Sequence, residues 1–197
     1  MKFSIRSFLL LVAGCVFFVG LGSSEAAAGK IPLTALAGTY TDTGKGSFAI
    51  CTGPDFKQKP CSKFIEGTDH FFPQTVVQVG EDSADAKGNG CGTITSTTSD
   101  FPVDFSPPIL LTVHNVSHNT SYDPSTGVGD ASGTGYIGGS CNGAVFNDKG
   151  AMKFSTFSVH FVASDNGKRI DFILTAFQNL IGSIGDFSFT ATDLKRP

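Results

Sequence analysis

Toward the C-terminal end the chain alternates apolar and polar side chains with a period of two. In KFSTFSVHFVA, Phe157, Val159 and Phe161 fall on one face while Ser158 and His160 fall on the other. The next run sets Ile170, Phe172 and Leu174 against Arg169, Asp171 and Ile173, and the last sets Phe187, Phe189 and Ala191 against Asp186, Ser188 and Thr190. Successive side chains of a strand point to opposite faces, so each run predicts a strand with one apolar face. Between the first two, Ser164-Asp165-Asn166-Gly167-Lys168 predicts a hairpin, because Asn-Gly takes the positive φ values of tight turns. Three such strands form an antiparallel meander, and closing a meander into a barrel removes its open edges.

Similar runs, rich in Val, Ile, Thr and Phe and separated by Gly, Asn, Asp and Pro, occupy 38–43, 46–51, 75–79, 91–97, 109–116, 133–137 and 144–146. Many short strands with turn signals between them predict an all-β sandwich or barrel, and no stretch beyond the first 28 residues carries a helical period. The expected fold is an antiparallel up-and-down β-barrel of about eight strands, stabilised by disulfides. The glycine-dense stretch STGVGDASGTGYIGGSCNG at 125–143 contains Tyr136, Ile137 and Cys141, so it reads as a strand edge or loop within one domain rather than as a linker.

The glycine cluster SADAKGNGCGTIT at 83–95 poses a sharper question. A phosphate-binding loop needs a helix N-terminus facing the anion, and this cluster leads instead into a β-branched run. A calcium loop needs oxygen ligands at alternating positions, and after Asp85 those positions offer Lys87 and Asn89. The cluster therefore predicts a hairpin, its turn supplied by Asn89 and Gly90.

The first 28 residues differ from the rest. Lys2 and Arg6 precede an apolar run from Phe8 to about Leu21, and small residues follow, ending Ala26-Ala27-Ala28. This is the pattern of a secretory signal peptide, which leaves 29–197 as the expected barrel domain in a secreted or periplasmic protein. Val12-Ala13-Gly14-Cys15 resembles a lipidation signal, but the apolar run continues past Cys15 and argues against an anchor there. The whole chain has 14 basic and 17 acidic residues; removing Lys2, Arg6 and Glu25 leaves 12 and 16, a net charge of −4. Scattered, mildly acidic charge gives no footprint for nucleic acid. Fifteen of the 19 Phe remain after the signal, with 3 Tyr and no Trp, so phenylalanine fills much of the expected core.

Four cysteines follow the leader: Cys51, Cys61, Cys91 and Cys141. An even count behind an export signal predicts two disulfides, with three possible connectivities. Cys51 and Cys61 flank the turn-rich TGPDFKQKP, which favours a local bridge there and Cys91 to Cys141 as the second. The lack of a C-x-x-C pair argues against zinc.

Four segments in order, Leu36-Ala37-Gly38-Thr39-Tyr40, Asp85-Ala86-Lys87-Gly88-Asn89-Gly90-Cys91-Gly92, SYDPSTGVG at 121–129 and DNGKRIDFI at 165–173, carry a resemblance. Together they resemble a diffuse group of exported bacterial proteins with lipocalin-like or allene-oxide-cyclase-like barrels. The resemblance implies a strand start or a hairpin at each segment and a small β-barrel overall. The long segment at 52–72 and the four cysteines depart from that pattern, and no catalytic residue of allene oxide cyclases maps onto a position here.

Candidate chemistry is sparse. His114 and His118 lie four apart, which on a strand of ~3.3 Å per residue separates them by about 13 Å, too far to share an ion. Glu66, Asp69 and His70 could form an acid/base or cation-binding group, but an exposed loop explains them better, since nothing else in the sequence points at these residues. No G-x-S-x-G elbow is present. Asn115-Val116-Ser117 and Asn119-Thr120-Ser121 match the N-glycosylation pattern, which matters only in a eukaryotic secretory pathway.

The inward rows of Phe, Ile and Val remain. They could fill the barrel, as side chains usually do in small barrels, or line a pocket. The leading expectation is a non-catalytic protein that binds a small apolar ligand inside the barrel, lined by Phe157, Val159, Phe161, Phe172 and Phe187, with no cofactor or metal. One alternative is an isomerase acting on a lipid-like substrate, marked by a polar residue with a perturbed pKa in an apolar pocket, with His160 or Asp171 as the first to check. The other is an envelope or surface protein that works through the loops at 52–72 or 125–143.

Overall fold

A computed structural model describes residues 29–57, 59–99, 110–179 and 184–197. The leader at 1–28, with Cys15, lies outside these described residues. The strands are β1 (Gly38–Thr52), β2 (His70–Ala84), β3 (Gly90–Ser99), β4 (Leu110–Asp123), β5 (Val128–Ile137), β6 (Ser140–Asn142), β7 (Val145–Asn147), β8 (Met152–Ser164), β9 (Arg169–Asn179) and β10 (Ile184–Lys195). Eight of them close into an antiparallel barrel in the order β1-β10-β9-β8-β5-β4-β3-β2, while β6 and β7 form a separate hairpin. Every barrel strand pairs with its neighbour in sequence, and β10 returns to β1. The expected all-β barrel of eight strands is thus the fold, and its up-and-down architecture fits a lipocalin-like barrel.

The segments 38–43 and 46–51, read as two strands, are one. Gly44 and Gly46 look like a turn but sit inside β1, where Gly46 pairs with Phe189 of β10. A Cβ on Gly44 would stand 2.2 Å from Phe189 Cζ, and one on Gly46 would stand 2.7 Å from Phe189 Cδ2. The glycines are present because a phenylalanine ring lies where their side chains would be. The same device explains the glycine-rich β5, where Gly129 pairs with Phe161 and Gly133 with Phe157 of β8. A Cβ at either position would fall 2.4 Å from the opposing ring's Cζ. These rings lie along the barrel wall, over bare backbone, instead of projecting across the axis.

The turns follow from local chemistry. After β2, Asp85 Oδ1 accepts from Lys87 N at 2.8 Å and Asn89 N at 2.9 Å, and Gly88 takes φ +75°. The hairpin predicted for 83–95 is present, but Gly88 supplies its positive φ, and Gly90 already belongs to β3. Between β8 and β9, Asp165, Asn166 and Gly167 all have positive φ.

Cys51 bonds Cys61, and Cys91 bonds Cys141. The first closes the long β1–β2 loop on itself. The second ties the β6–β7 hairpin to the outer surface of β3, leaving Cys91 buried beneath it.

One end of the barrel is stoppered by residues 31–36. Leu36 packs with Phe161 and Ala163, and Ile31 and Leu33 join that cluster. Hydrogen bonds hold the stopper: the Tyr40 hydroxyl reaches Leu36 O at 2.7 Å and Gly167 O at 2.9 Å, the Tyr122 hydroxyl donates to Ile31 O at 2.9 Å, and Lys195 Nζ donates to Ala35 O at 2.9 Å. A second apolar cluster, with Phe48, Ile50, Val76, Phe189 and Ala191, occupies the other half of the interior.

Candidate functional site

Between these clusters the interior is hollow. A cavity of about 430 Å³ is lined from all eight barrel strands, among them Phe48 of β1, Val76 of β2, Ile94 of β3 and Val113 of β4. Ligand pockets typically span about 300 to 1,000 Å³ and are mostly apolar with a few placed polar groups, so this cavity is of ligand size. Phe157, Val159, Phe161 and Phe172 all stand on its lining. Phe187 lies in β10, but its side chain lies outside the described residues.

The acidic groups of the cavity lie toward the stoppered end, near Tyr40. Asp42 of β1 is directly opposite Asp193 of β10, and Asp82 of β2 is opposite Tyr40, one inward position along from Asp42. One carboxylate oxygen from each of Asp42, Asp82 and Asp193 lies within 4.8 Å of the other two. Asp42 is 0% exposed and Asp193 6% exposed. Asp82 and Asp193 line the cavity itself. Like charges directly opposite on neighbouring strands destabilise a sheet, so this arrangement stands out against the apolar interior.

Local structure makes room for the cluster. A Cβ on Gly92, which pairs with Asp82, would lie 1.4 Å from Asp82 Oδ1, so only glycine leaves space for that carboxyl. Gln78 Nε2 donates to both Asp42 oxygens, at 2.9 and 3.2 Å. Among the described residues no lysine, arginine or histidine forms an ion pair with any of the three. Asp193 Oδ1 is buried without a hydrogen-bond partner.

The electrostatics follow from burial. Desolvation pushes Asp42 up to about 6, against the opposing pull of the Gln78 bond. Desolvation first, then the charges of Asp42 and Glu81, raise Asp82. Desolvation, then the charges of Asp82 and Asp42, raise Asp193. Carboxylates this close cannot all ionise without a counter-charge, so near neutral pH the cluster holds protons and can both donate and accept hydrogen bonds.

The other candidates serve the scaffold. His160 Nδ1 pairs with Asp130 at 2.9 Å, with both residues exposed. Asp171 takes a two-point contact from Arg169 at 2.7 and 2.9 Å and a bond from Thr192 at 2.6 Å. Neither His160 nor Asp171 is on the cavity lining, so neither is the inward polar group that an isomerase would need. In the β1–β2 loop, Asp69 accepts from Lys59 Nζ at 2.5 Å and Ile65 N at 2.6 Å, while His70 stacks on Phe56 with ring centroids 4.3 Å apart. That group fixes the loop, and Glu66 is exposed beside it. His114 bonds Thr93 Oγ1 at 3.0 Å, and His118 is exposed further along the same strand. Asn115 faces the cavity, where a glycan could not be carried.

The three cluster aspartates lie at 42, 82 and 193 in the sequence and share no motif there. One signal was present: the face carrying Phe189 and Ala191 continues, two residues on, to Asp193. Among the described residues no helix is long and apolar enough to cross a membrane. Compared with family models, curated proteins and solved structures, the chain matches none of them.

Proposed function

We propose that the protein is a secreted or periplasmic container that binds a small, largely apolar ligand inside its barrel. The cavity of about 430 Å³ carries this reading, since small barrels are ordinarily filled by their own side chains. Phe157, Val159, Phe161 and Phe172 supply apolar wall, with Phe187 as a further lining candidate. The two disulfides suit an oxidising compartment, in keeping with the basic and apolar start of the chain. The resemblance to exported lipocalin-like and allene-oxide-cyclase-like barrels points the same way.

The test is saturable binding of a neutral apolar fluorophore, N-phenyl-1-naphthylamine, to the purified protein and to Ala131→Phe, which adds a ring to the cavity wall. The expected result is one site per chain, weakened at least tenfold by the substitution at unchanged secondary structure. Equal binding to both proteins, or none to either, would sink the proposal.

A second reading, an acid–base isomerase, draws on the cluster of Asp42, Asp82 and Asp193, which meets the mark of perturbed polar groups in an apolar pocket. It requires turnover of a bound lipid-like substrate that Asp82→Asn abolishes while binding persists.

A further inference from the structure

We infer that the ligand carries a primary ammonium head, held by Asp42, Asp82 and Asp193 at the stoppered end while its apolar tail occupies the phenylalanine-lined hollow. The inference rests on the container reading and specifies what the container holds.

Geometry supports it first. A primary ammonium has three N–H donors at tetrahedral angles, and acceptors about 2.8 Å from its nitrogen lie roughly 4.6 Å from one another. The three carboxylate oxygens lie within 4.8 Å of one another, one from each side chain. The second support is independent of that spacing: Asp193 Oδ1, on a residue only 6% exposed, is a buried acceptor with no partner, on a side chain that lines the cavity. A buried acceptor left unmatched costs about 1 to 3 kcal/mol in general, so a donor arriving there has a place prepared.

A bare divalent cation fits less well. Calcium takes 6 to 8 oxygens, and both oxygens of Asp42 already accept from the Gln78 amide. An ion alone would also make no use of the hollow. An anionic head would meet acidic oxygens, and a neutral one would leave the carboxyls protonated, forgoing the charge-assisted hydrogen bonds that an ammonium makes as it displaces those protons.

The experiment titrates the full-length protein at pH 7 by calorimetry with n-octylamine, n-octanol, octanoate, octyltrimethylammonium and calcium chloride. Octylamine is expected to bind at least tenfold more tightly than octanol and than octyltrimethylammonium, which keeps the charge but has no N–H. Asp193→Asn is expected to narrow the amine-to-octanol ratio below threefold; Asp82→Asn serves as a second variant if the first does not fold. If octanol binds and octylamine has no advantage, the container stands and the ammonium inference falls. If octyltrimethylammonium matches octylamine, the three-donor recognition is wrong. Calcium binding that Asp193→Asn removes would reassign the cluster to a metal. If no organic ligand binds at all, the container reading itself fails.

Discussion

Asp42 shows how far one side chain can depart from its ordinary behaviour. Its carboxyl is fully buried, and the Gln78 amide offsets only part of the lost hydration, so its pKa rises from 3.8 to about 6. A folded-state pKa above the unfolded value means that the folded chain binds the proton more tightly. The stabilisation is complete below pH 3.8 and disappears as pH rises through about 6. A shift of about two units corresponds to about 3 kcal/mol. The groups facing Asp42 act in the same sense or outside the window: Asp82 and Asp193 are also raised, Glu81 bears on Asp82, and Tyr40 is pushed up to about 12. Urea unfolding from pH 4 to pH 8 is therefore expected to show a wild-type stability that declines, and an Asp42→Asn protein that declines less by about 3 kcal/mol. A flat wild-type profile would contradict the buried-carboxyl picture. Outer carboxylates such as Asp130 and Asp171 are lowered by His160 and Arg169 respectively, so their contribution is lost as pH falls below the usual carboxylate range.

At the scale of elements, the strands were readable where side chains alternate cleanly. Phe157, Val159 and Phe161, and Ile170 and Phe172, announce β8 and β9 because only the inner face is apolar. Legibility failed where glycine replaced an inward side chain. Gly44 and Gly46 mimic a turn, and the interior of β5 appears as bare backbone, because the residue that fills each position belongs to another strand. Asp42, Asp82 and Asp193 were hidden for a related reason: they lie on three strands far apart in sequence, and only the barrel register brings them together. Gly133→Ala tests the ring-over-glycine pairing. Its Cβ would meet Phe157 Cζ and the backbone oxygen of Val116, each at 2.4 Å, and overpacking of this kind costs about 1 to 3 kcal/mol, to be read from urea midpoints. The disulfides should rank by the length of chain they close. Opening Cys91–Cys141, separated by 50 residues, with Cys91→Ala/Cys141→Ala is expected to cost about 4 kcal/mol; opening Cys51–Cys61, separated by 10, about 3 kcal/mol. The reverse order in denaturant unfolding would show that the hairpin's anchorage contributes little.

For the molecule as a whole, closure of the sheet and closure of one end are separate achievements. The β1–β10 pairing completes the wall, and residues 31–36 complete the floor, tied through Tyr40, Tyr122 and Lys195 to three different parts of the chain. Tyr40→Phe keeps the ring but removes the hydroxyl that reaches Leu36 O and Gly167 O. It is expected to lower stability by about 1 to 3 kcal/mol and to speed amide exchange in residues 33–36 ahead of the barrel strands. Uniform loss of protection across the barrel would instead mean that floor and wall open together.

The hollow interior also makes the protein compressible in a way that a solid barrel is not. Unfolding abolishes internal voids, and the accompanying volume change, about −20 to −100 mL/mol for ordinary proteins, scales with the empty space lost. A dry hollow of about 430 Å³ would put the unliganded barrel toward the large end of that range. Hydrostatic pressure should therefore unfold it at loads that spare proteins of similar stability, and an occupant that fills the hollow should restore resistance. Pressure thus reads how full the container is without reference to what fills it.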